Sequence, residues 1–298
     1  VKRLIKVYGL LLLFPLILGG ESLRIATYNL RNYLSTDRWV DGVWRQDYPK
    51  PEREKKALRA IILEARPQIL LLQEVGSVSH LRELQSDLRI EGIDYPYRYH
   101  LMALDQKRQV AALSQIAAKE VIKHTDLWFS YQGERRTPLR GLLELIFELN
   151  DKSHLAVFNL HLKSRWTVDE ADPEAAKLRT AEAQAARDRI QRQVASGGRM
   201  AYVLGGDFND HPSSASFRRF LHKGSQQLGQ VITAVDQRQE RWTYFYEKEV
   251  SYQMVDALIV SPNLLSQVVD GVGHIADHSQ AMLASDHRMV YADFVFDR

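Results

Sequence analysis

Four short apolar runs in this chain stop on side chains that an apolar run does not need. They are ATYN, ending at Asn29; LLLQE, ending at Glu74; FNLHL, carrying Asn159 and His161; and LGGDFN, ending at Asp207 and Asn209. Runs of this length read as strands. The run QILLLQE (Gln68–Glu74) is apolar at consecutive positions, as expected of a strand covered on both faces. Within the third run Leu155 and Val157 share a face with Asn159 and His161, so that face turns from apolar to polar toward the strand's end. Taken alone, LGGDFND (Leu204–Asp210) also fits an ordinary turn, since Gly, Asp and Asn are common turn residues. Four runs ending this way instead predict strand ends gathered at one place.

The rest of the chain fills in around these strands. Leu23–Asn29 opens the order, followed by a polar, aromatic-rich loop over 30–50. Pro51, with Glu52 and Glu54 behind it, starts a helix that buries Leu58, Ile61, Ile62 and Ala65 and stops at Pro67. Ser77 caps a second helix to Leu88. Strands are expected at 108–114, 141–149 and 154–162, the last two joined as a hairpin through Asn150-Asp151-Lys152. Asp172 and Pro173 cap a long Ala-rich helix to Val194, stopped by Gly197-Gly198. A strand at 200–206, a short helix at 213–221 and strands at 253–261 and 288–296 complete the order. No repeat, low-complexity tract or linker interrupts it. The expectation is one α/β sandwich domain over 21–298.

Composition excludes some chemistry. There is no cysteine, so disulfides and thiolate metal sites are absent. The formal charge is +3, but Lys2, Arg3 and Lys6 lie in the first twenty residues, and without them the body balances at 37 against 37. A basic body of the kind that grips nucleic acid is not evident. The same segment runs apolar from Val7 to Leu18 before Gly19-Gly20. It reads as a secretory signal, or failing cleavage an N-terminal anchor, which would export the protein and hold it near a membrane.

Two further polar positions join the strand ends. Asp256 interrupts an apolar run, and Asp286-His287 precede the last strand. A buried acid is costly without a partner, and His287 is a natural one, because a carboxylate fixes the ring's tautomer and favours its charged form. Oxygen ligands without sulfur suit a hard cation, Mg²⁺ above all, with Mn²⁺ as the alternative. A hard cation, a His–Asp pair and carboxamides are what hydrolysis of a phosphate ester requires.

The ordered motifs TYN, LLLQEV, NLHLKS, GGDFND and SDH resemble those of the endonuclease/exonuclease/phosphatase superfamily, from Leu23 to Phe296. The resemblance implies a deoxyribonuclease I-like four-layer α/β/β/α sandwich of two mainly antiparallel sheets. It implies that Glu74 is the principal metal ligand, with Asn29 beside it and Asp286 bordering the same site. Asp207 would activate or orient water, Asn209 would hold a phosphate oxygen, and His287, oriented by Asp256, would contact the scissile phosphate. His161 matches a second histidine of the deoxyribonuclease I, sphingomyelinase and 5-phosphatase branches; no acid partner for it is evident. Arg31 stands where the AP endonuclease branch carries an acid, which argues against abasic-site repair.

Other readings remain beside this one. Nucleic acid, a phospholipid headgroup and a small phosphomonoester all fit the motifs, as does a non-catalytic binding module on the same fold. A serine hydrolase using Ser285 with His287 lacks the nucleophile-elbow glycines, and a calcium loop at DFNDHPSS has Pro212 where glycine is required. Trp39, Trp44 and Tyr48 line a substrate groove or are packing residues. Lys163 and Arg165 grip a second phosphate or are solvated. No feature calls for a protein partner, and a monomer is expected.

Overall fold

A computed structural model describes residues 22–150, 153–196 and 201–296. The leader, Asp151-Lys152 of the hairpin turn and Gly197-Gly198 lie outside the described residues. Counting only strands of the two large sheets, the first sheet comprises β1 (Ser22–Tyr33), β2 (Ile69–Val75), β3 (Tyr97–Leu101), β4 (Gln109–Ser114), β10 (Ala234–Val235), β12 (Gly273–Ile275) and β13 (Val290–Val295), ordered β10-β12-β13-β1-β2-β4-β3. The second comprises β5 (Glu120–His124), β6 (Leu142–Asn150), β7 (Ser153–His161), β8 (Ala201–Asp207), β9 (Gln230–Val231) and β11 (Asp256–Val260), ordered β9-β11-β8-β7-β6-β5.

Three apolar layers make the four-layer sandwich. Ile25, Leu71, Val110, Leu145, Val157, Val203 and Leu258 fill the space between the sheets. Leu70 and Leu72, on the other face of β2, pack with Leu58, Ile62, Leu81 and Leu84 of helices α1 (Glu52–Ala65) and α2 (Val78–Ile90). Phe158, Tyr202 and Leu204 pack with Ala183, Ala186 and Ile190 of α3 (Ala176–Ser196). Sheets clad on both sides explain why their central strands carry buried apolar residues at consecutive positions and not at alternate ones.

Helix ends follow the expected chemistry. Arg66 closes α1 in the left-handed conformation (φ 49°) with its N–H on Ile62 O, ahead of Pro67. Ser77 and His80 form a reciprocal cap on α2. Asp172 accepts from the backbone N–H of Lys177 and Leu178, each at 2.9 Å, at the start of α3.

One expectation fails. The stretch 30–50 is not a loop: β1 runs on to Tyr33, and Thr36–Val40 pairs with Val43–Tyr48 as a separate hairpin. Its turn is Asp41-Gly42, both at positive φ (51° and 76°), the conformation that Asp-Gly adopts in tight hairpins. Edge strands β3 and β5 were also not evident, being short and largely exposed, with one buried residue each.

The sheets are mainly antiparallel, but each has a parallel pair at its centre, and the short strands β10 and β12 at the rim of the first sheet are parallel as well. β1 runs parallel to β2, with Asn29 opposite Gln73, and β7 runs parallel to β8, with His161 opposite Asp207. α1 makes the first crossover and α3 the second, since parallel neighbours need a long connection. Parallel neighbours end at the same edge, so Asn29, Glu74, His161 and Asp207 arrive together. Antiparallel partners add their starts there: Asp256 lies opposite Asp207, and Val290 opposite Thr27 puts His287 beside the end of β1.

Candidate active site

The two glycines before Asp207 are there for packing. A Cβ on Gly206 (φ 153°) would lie 2.2 Å from Leu160 O, and one on Gly205 would meet Leu71 of the opposite sheet at 2.7 Å. No side chain fits between β8 and its surroundings at these positions. Beyond them Asn209 (φ 52°), like Glu74 (φ 58°), holds a left-handed backbone that costs a non-glycine residue energy. In both cases the strained residue turns its side chain into the site.

Asp207 is the hub. Its Oδ1 accepts from Asn209 N at 2.8 Å. Its Oδ2 accepts from Asn29 Nδ2 at 3.0 Å and Asn209 Nδ2 at 3.2 Å. His161 Nε2 lies 3.3 Å from the same oxygen and His287 Nε2 3.9 Å from it. Burial pushes the Asp207 carboxyl up to about 6, against the pull of the His287 charge.

His287 and Asp256 form a buried pair, Nδ1 to Oδ2 at 2.8 Å. Burial works against the imidazolium, yet Asp256 and then Asp207 outweigh it and raise His287 to about 10. Near neutral pH this ring is therefore cationic, with Nε2–H turned toward Asp207. His161 is the opposite case. Burial, then the Arg140 charge, hold it well below its ordinary range, so it is neutral, and its Nδ1 is buried without a hydrogen-bond partner. The missing acid beside His161 is Asp207, one strand away.

The acids of the other side face the same space. Glu74 Oε2 accepts from Asn32 N at 2.9 Å, while Oε1 has only Arg108 Nε at 3.8 Å. Burial raises the Glu74 carboxyl, Arg108 opposes, and Asp286 raises it further. Asp286 meets Arg31 Nε at 3.6 Å. Glu74, Asp286, His161, Asp207, Asn209 and His287 all border one cavity of ≈ 470 Å³, which Arg31, Arg108, Arg140 and Lys163 also line. Two like charges held over a cavity, whose only Lys or Arg ion pairs among the described residues are long guanidinium contacts, fit a hard cation. Asp207, Asp256 and His287 also lie close enough together to hold a metal, but a protonated imidazole has no lone pair to give.

Asn29 and Asp256 stand behind this wall. Asn29 turns its amide nitrogen to Asp207, and its Oδ1 accepts from Arg31 N at 3.0 Å. Of the less certain residues, Lys163 lines the cavity, whereas Arg165 lies with Asp210 at 3.9 Å beside a different one. Trp39 and Trp44 meet edge to face across the hairpin, largely exposed, and neither borders this cavity. Ser285 cannot serve as nucleophile: it is fully buried, donating to Asn29 O at 2.8 Å and accepting from His287 N at 3.1 Å. It pins the His287 segment to β1.

Sequence reasoning missed Arg108 and Arg140, which lie outside any motif and whose charge alone does not set them apart. It also missed what lies under the site. Gln73 Nε2 donates to Thr27 Oγ1 (3.0 Å) and Asn159 Oδ1 (2.7 Å), and Asn159 Nδ2 reaches Leu72 O and Ala111 O across the sandwich. All three side chains are fully buried. The polar turn of the Asn159–His161 face was the available signal.

A four-layer sandwich with acids, amides and imidazoles at the ends of both central parallel pairs is the architecture of hydrolases acting on phosphoester bonds. The chain belongs to the endonuclease/exonuclease/phosphatase family, whose model matches residues 26–287. A search of curated proteins finds no match. Among solved structures, the fold is shared with an endonuclease/exonuclease/phosphatase from Bacteroides vulgatus (15% identity, TM-score 0.64, 93% of this chain and 100% of that one). It is shared also with the human nocturnin catalytic domain with bound sulfate (16%, 0.61, 93% and 95%). Truncated TDP2 from Caenorhabditis elegans is a third (18%, 0.58, 92% and 98%).

Proposed function

We propose that the protein is a divalent-metal-dependent phosphodiesterase, Mg²⁺ or Mn²⁺ serving as the ion, that hydrolyses its substrate by in-line attack of water. The observation that carries this reading is the opposition across one cavity of an acid pair, Glu74 and Asp286, to a buried acceptor and a buried cation, Asp207 and His287. Glu74 and Asp286 would hold the ion, which when bound neutralises phosphate charge.

Every other role falls to the chain itself. Asp207 Oδ2, fixed by the amide groups of Asn29 and Asn209, orients a water molecule and takes its proton as the oxygen–phosphorus bond forms. The bond to the leaving oxygen breaks on the opposite side, and the departing alkoxide takes a proton from solvent water, giving a phosphomonoester and an alcohol. His287, kept cationic by Asp256, donates from Nε2 to a phosphoryl oxygen as charge accumulates there. Asn209 holds a second phosphoryl oxygen. Arg31, Arg108, Arg140 and Lys163 surround the cavity with positive charge although the body as a whole carries none in excess. That local charge favours an anionic substrate with more than one phosphate over a small neutral-tailed ester.

The basic, apolar leader supports placing the enzyme outside the cytoplasm. Purified protein assayed with Mg²⁺ against oligonucleotides, sphingomyelin and inositol phosphates tests the function. Hydrolysis that persists at full rate in excess chelator, or no hydrolysis of any diester, overturns it.

A further inference from the structure

A two-stranded ribbon, Tyr244–Tyr246 paired with Ser251–Gln253, stands beside the catalytic cavity. It is not free to drift. Phe245 N donates to Asp286 O at 2.9 Å, Arg288 N donates to Thr243 O at 2.7 Å, and Thr243 Oγ1 accepts from Val255 N and Asp256 N at 3.0 Å each. The ribbon is thus bonded to both segments that carry the His287–Asp256 pair.

Its tyrosines carry a row of stacked rings on from His287. The Tyr244 ring lies 4.6 Å from the His287 ring at 36°, and the Tyr246 ring lies 6.3 Å from Tyr244 at 24°. Three rings therefore step from the reacting position toward solvent. The two tyrosines border a second cavity of ≈ 470 Å³, which shares Arg31, Tyr244 and Asp286 with the first and adds Phe245, Tyr246, Glu247, Lys248 and Met282. Both tyrosines are half-buried. Tyrosines at i and i+2 on so short a ribbon are as often packing as binding, but packing alone does not call for the shared cavity or for Arg31 and Lys248 beside it.

We propose that the Tyr244–Tyr246 step is a stacking subsite for an unpaired nucleobase next to the scissile phosphate, with Lys248 and Arg31 receiving the neighbouring phosphate. This rests on the phosphodiesterase reading, which sets the scissile phosphate between Asp207 and His287. Aromatic faces alternating with cations are how proteins hold single-stranded nucleic acid. A choline headgroup would also seek aromatic faces, and Glu247 and Asp286 offset the charge of Arg31 and Lys248 at this cavity, but two near-parallel rings at 24° offer a flat face for a planar base and do not form a cage around a quaternary ammonium. A base held in a duplex cannot reach the step, so single strands or frayed ends are the substrates.

The test uses the full chain and a single-stranded trinucleotide with 2-aminopurine at its centre and methylene-phosphonate linkages that cannot be hydrolysed. Stacking quenches the fluorophore, so binding is read without turnover, and its outcome is independent of whether a separate hydrolysis assay on a simple dialkyl phosphate succeeds. We expect saturable quenching, about tenfold weaker binding in Tyr246→Leu, and near-parental binding in Tyr246→Trp. Replacing the base by a tetrahydrofuran spacer, with affinity read by competition, should cost the parent the same factor and Tyr246→Leu nothing further. Equal parental affinity with and without the base overturns the proposal and does not depend on any variant folding. So does displacement of the probe by phosphocholine whose own binding is weakened in Tyr246→Leu.

Discussion

The charge on His287 has a thermodynamic signature that can be read without substrate or metal. Folding raises this histidine from 6.5 to about 10, so between those values the folded chain holds a proton that the unfolded chain has released. Its contribution is fully present below about pH 6.5 and is lost as pH rises through 10. At about 1.36 kcal/mol per unit the whole shift corresponds to about 5 kcal/mol. From pH 6.5 to pH 8 the expected loss is about 1.5 kcal/mol, allowing for partial protonation of the unfolded ring at the lower limit. Other groups leave this window nearly clear. Asp207, raised by burial to about 6, loses its contribution mainly between pH 4 and 6. His161, lowered by burial, acts below 6.5. Lys50, lowered by burial to about 8, adds stability only as pH rises above 8. Urea unfolding in chelator at pH 6.5, 7, 7.5 and 8 should therefore show stability falling with pH. Asp256→Asn removes the charge 2.8 Å from Nδ1 while keeping the shape, and should shrink the fall, to about 0.4 kcal/mol if the ring loses about 3 units, the upper end of what an adjacent opposite charge typically supplies. A parent whose stability is flat across the window, or a variant with the parental slope, would refute the account. NMR titration of the His287 ring gives the same answer at the level of the residue.

Glu74→Gln preserves the hydrogen bond from Asn32 N but not the charge, so Mg²⁺ should be needed at much higher concentration for equal activity; identical metal titrations would remove Glu74 from the ligand set. Asp207→Asn should abolish hydrolysis, and the parental rate should drop as pH falls through about 6, where this carboxyl takes its proton; an acid limb that stays in place when Asp207 is replaced assigns it elsewhere. Ser285→Ala should lose about 1–3 kcal/mol of stability from the orphaned His287 N–H and Asn29 C=O, while the parent resists serine-directed phosphonofluoridates. Residues 1–20 fused to a reporter that functions only after export should activate it, and a silent reporter would contradict the leader reading.

The sequence showed the site more clearly than it showed the frame. Asn29, Glu74, His161 and Asp207 were legible because each ends an apolar run, and polarity at the end of a buried strand is costly enough to need a reason. Asp256 and His287 followed from the same cost argument. The hairpin at 36–48 was hidden by its composition: Trp, Arg and Asp read as loop, although Asp41-Gly42 carried the turn signal. Arg108 and Arg140 were not legible, since the value of an arginine here comes from a cavity that only tertiary structure creates. The partner of His161 was sought among unassigned acids, whereas parallel pairing sets His161 against Asp207, an acid already given a role. Pairing partners across strands distant in sequence cannot be read from one chain's periodicity.

The bridge of Thr27, Gln73 and Asn159 beneath the site bears on what the enzyme can tolerate mechanically. Asn29 and Glu74 ride on one sheet, His161 and Asp207 on the other, and an apolar interlayer by itself resists separation better than it resists sliding. Directional bonds from Asn159 to two carbonyls of the facing sheet act as a dowel against shear, set directly below the groups whose alignment matters most. The two halves of the proposed site are thereby registered to each other by bonds within the protein, so its groups are already aligned before anything binds.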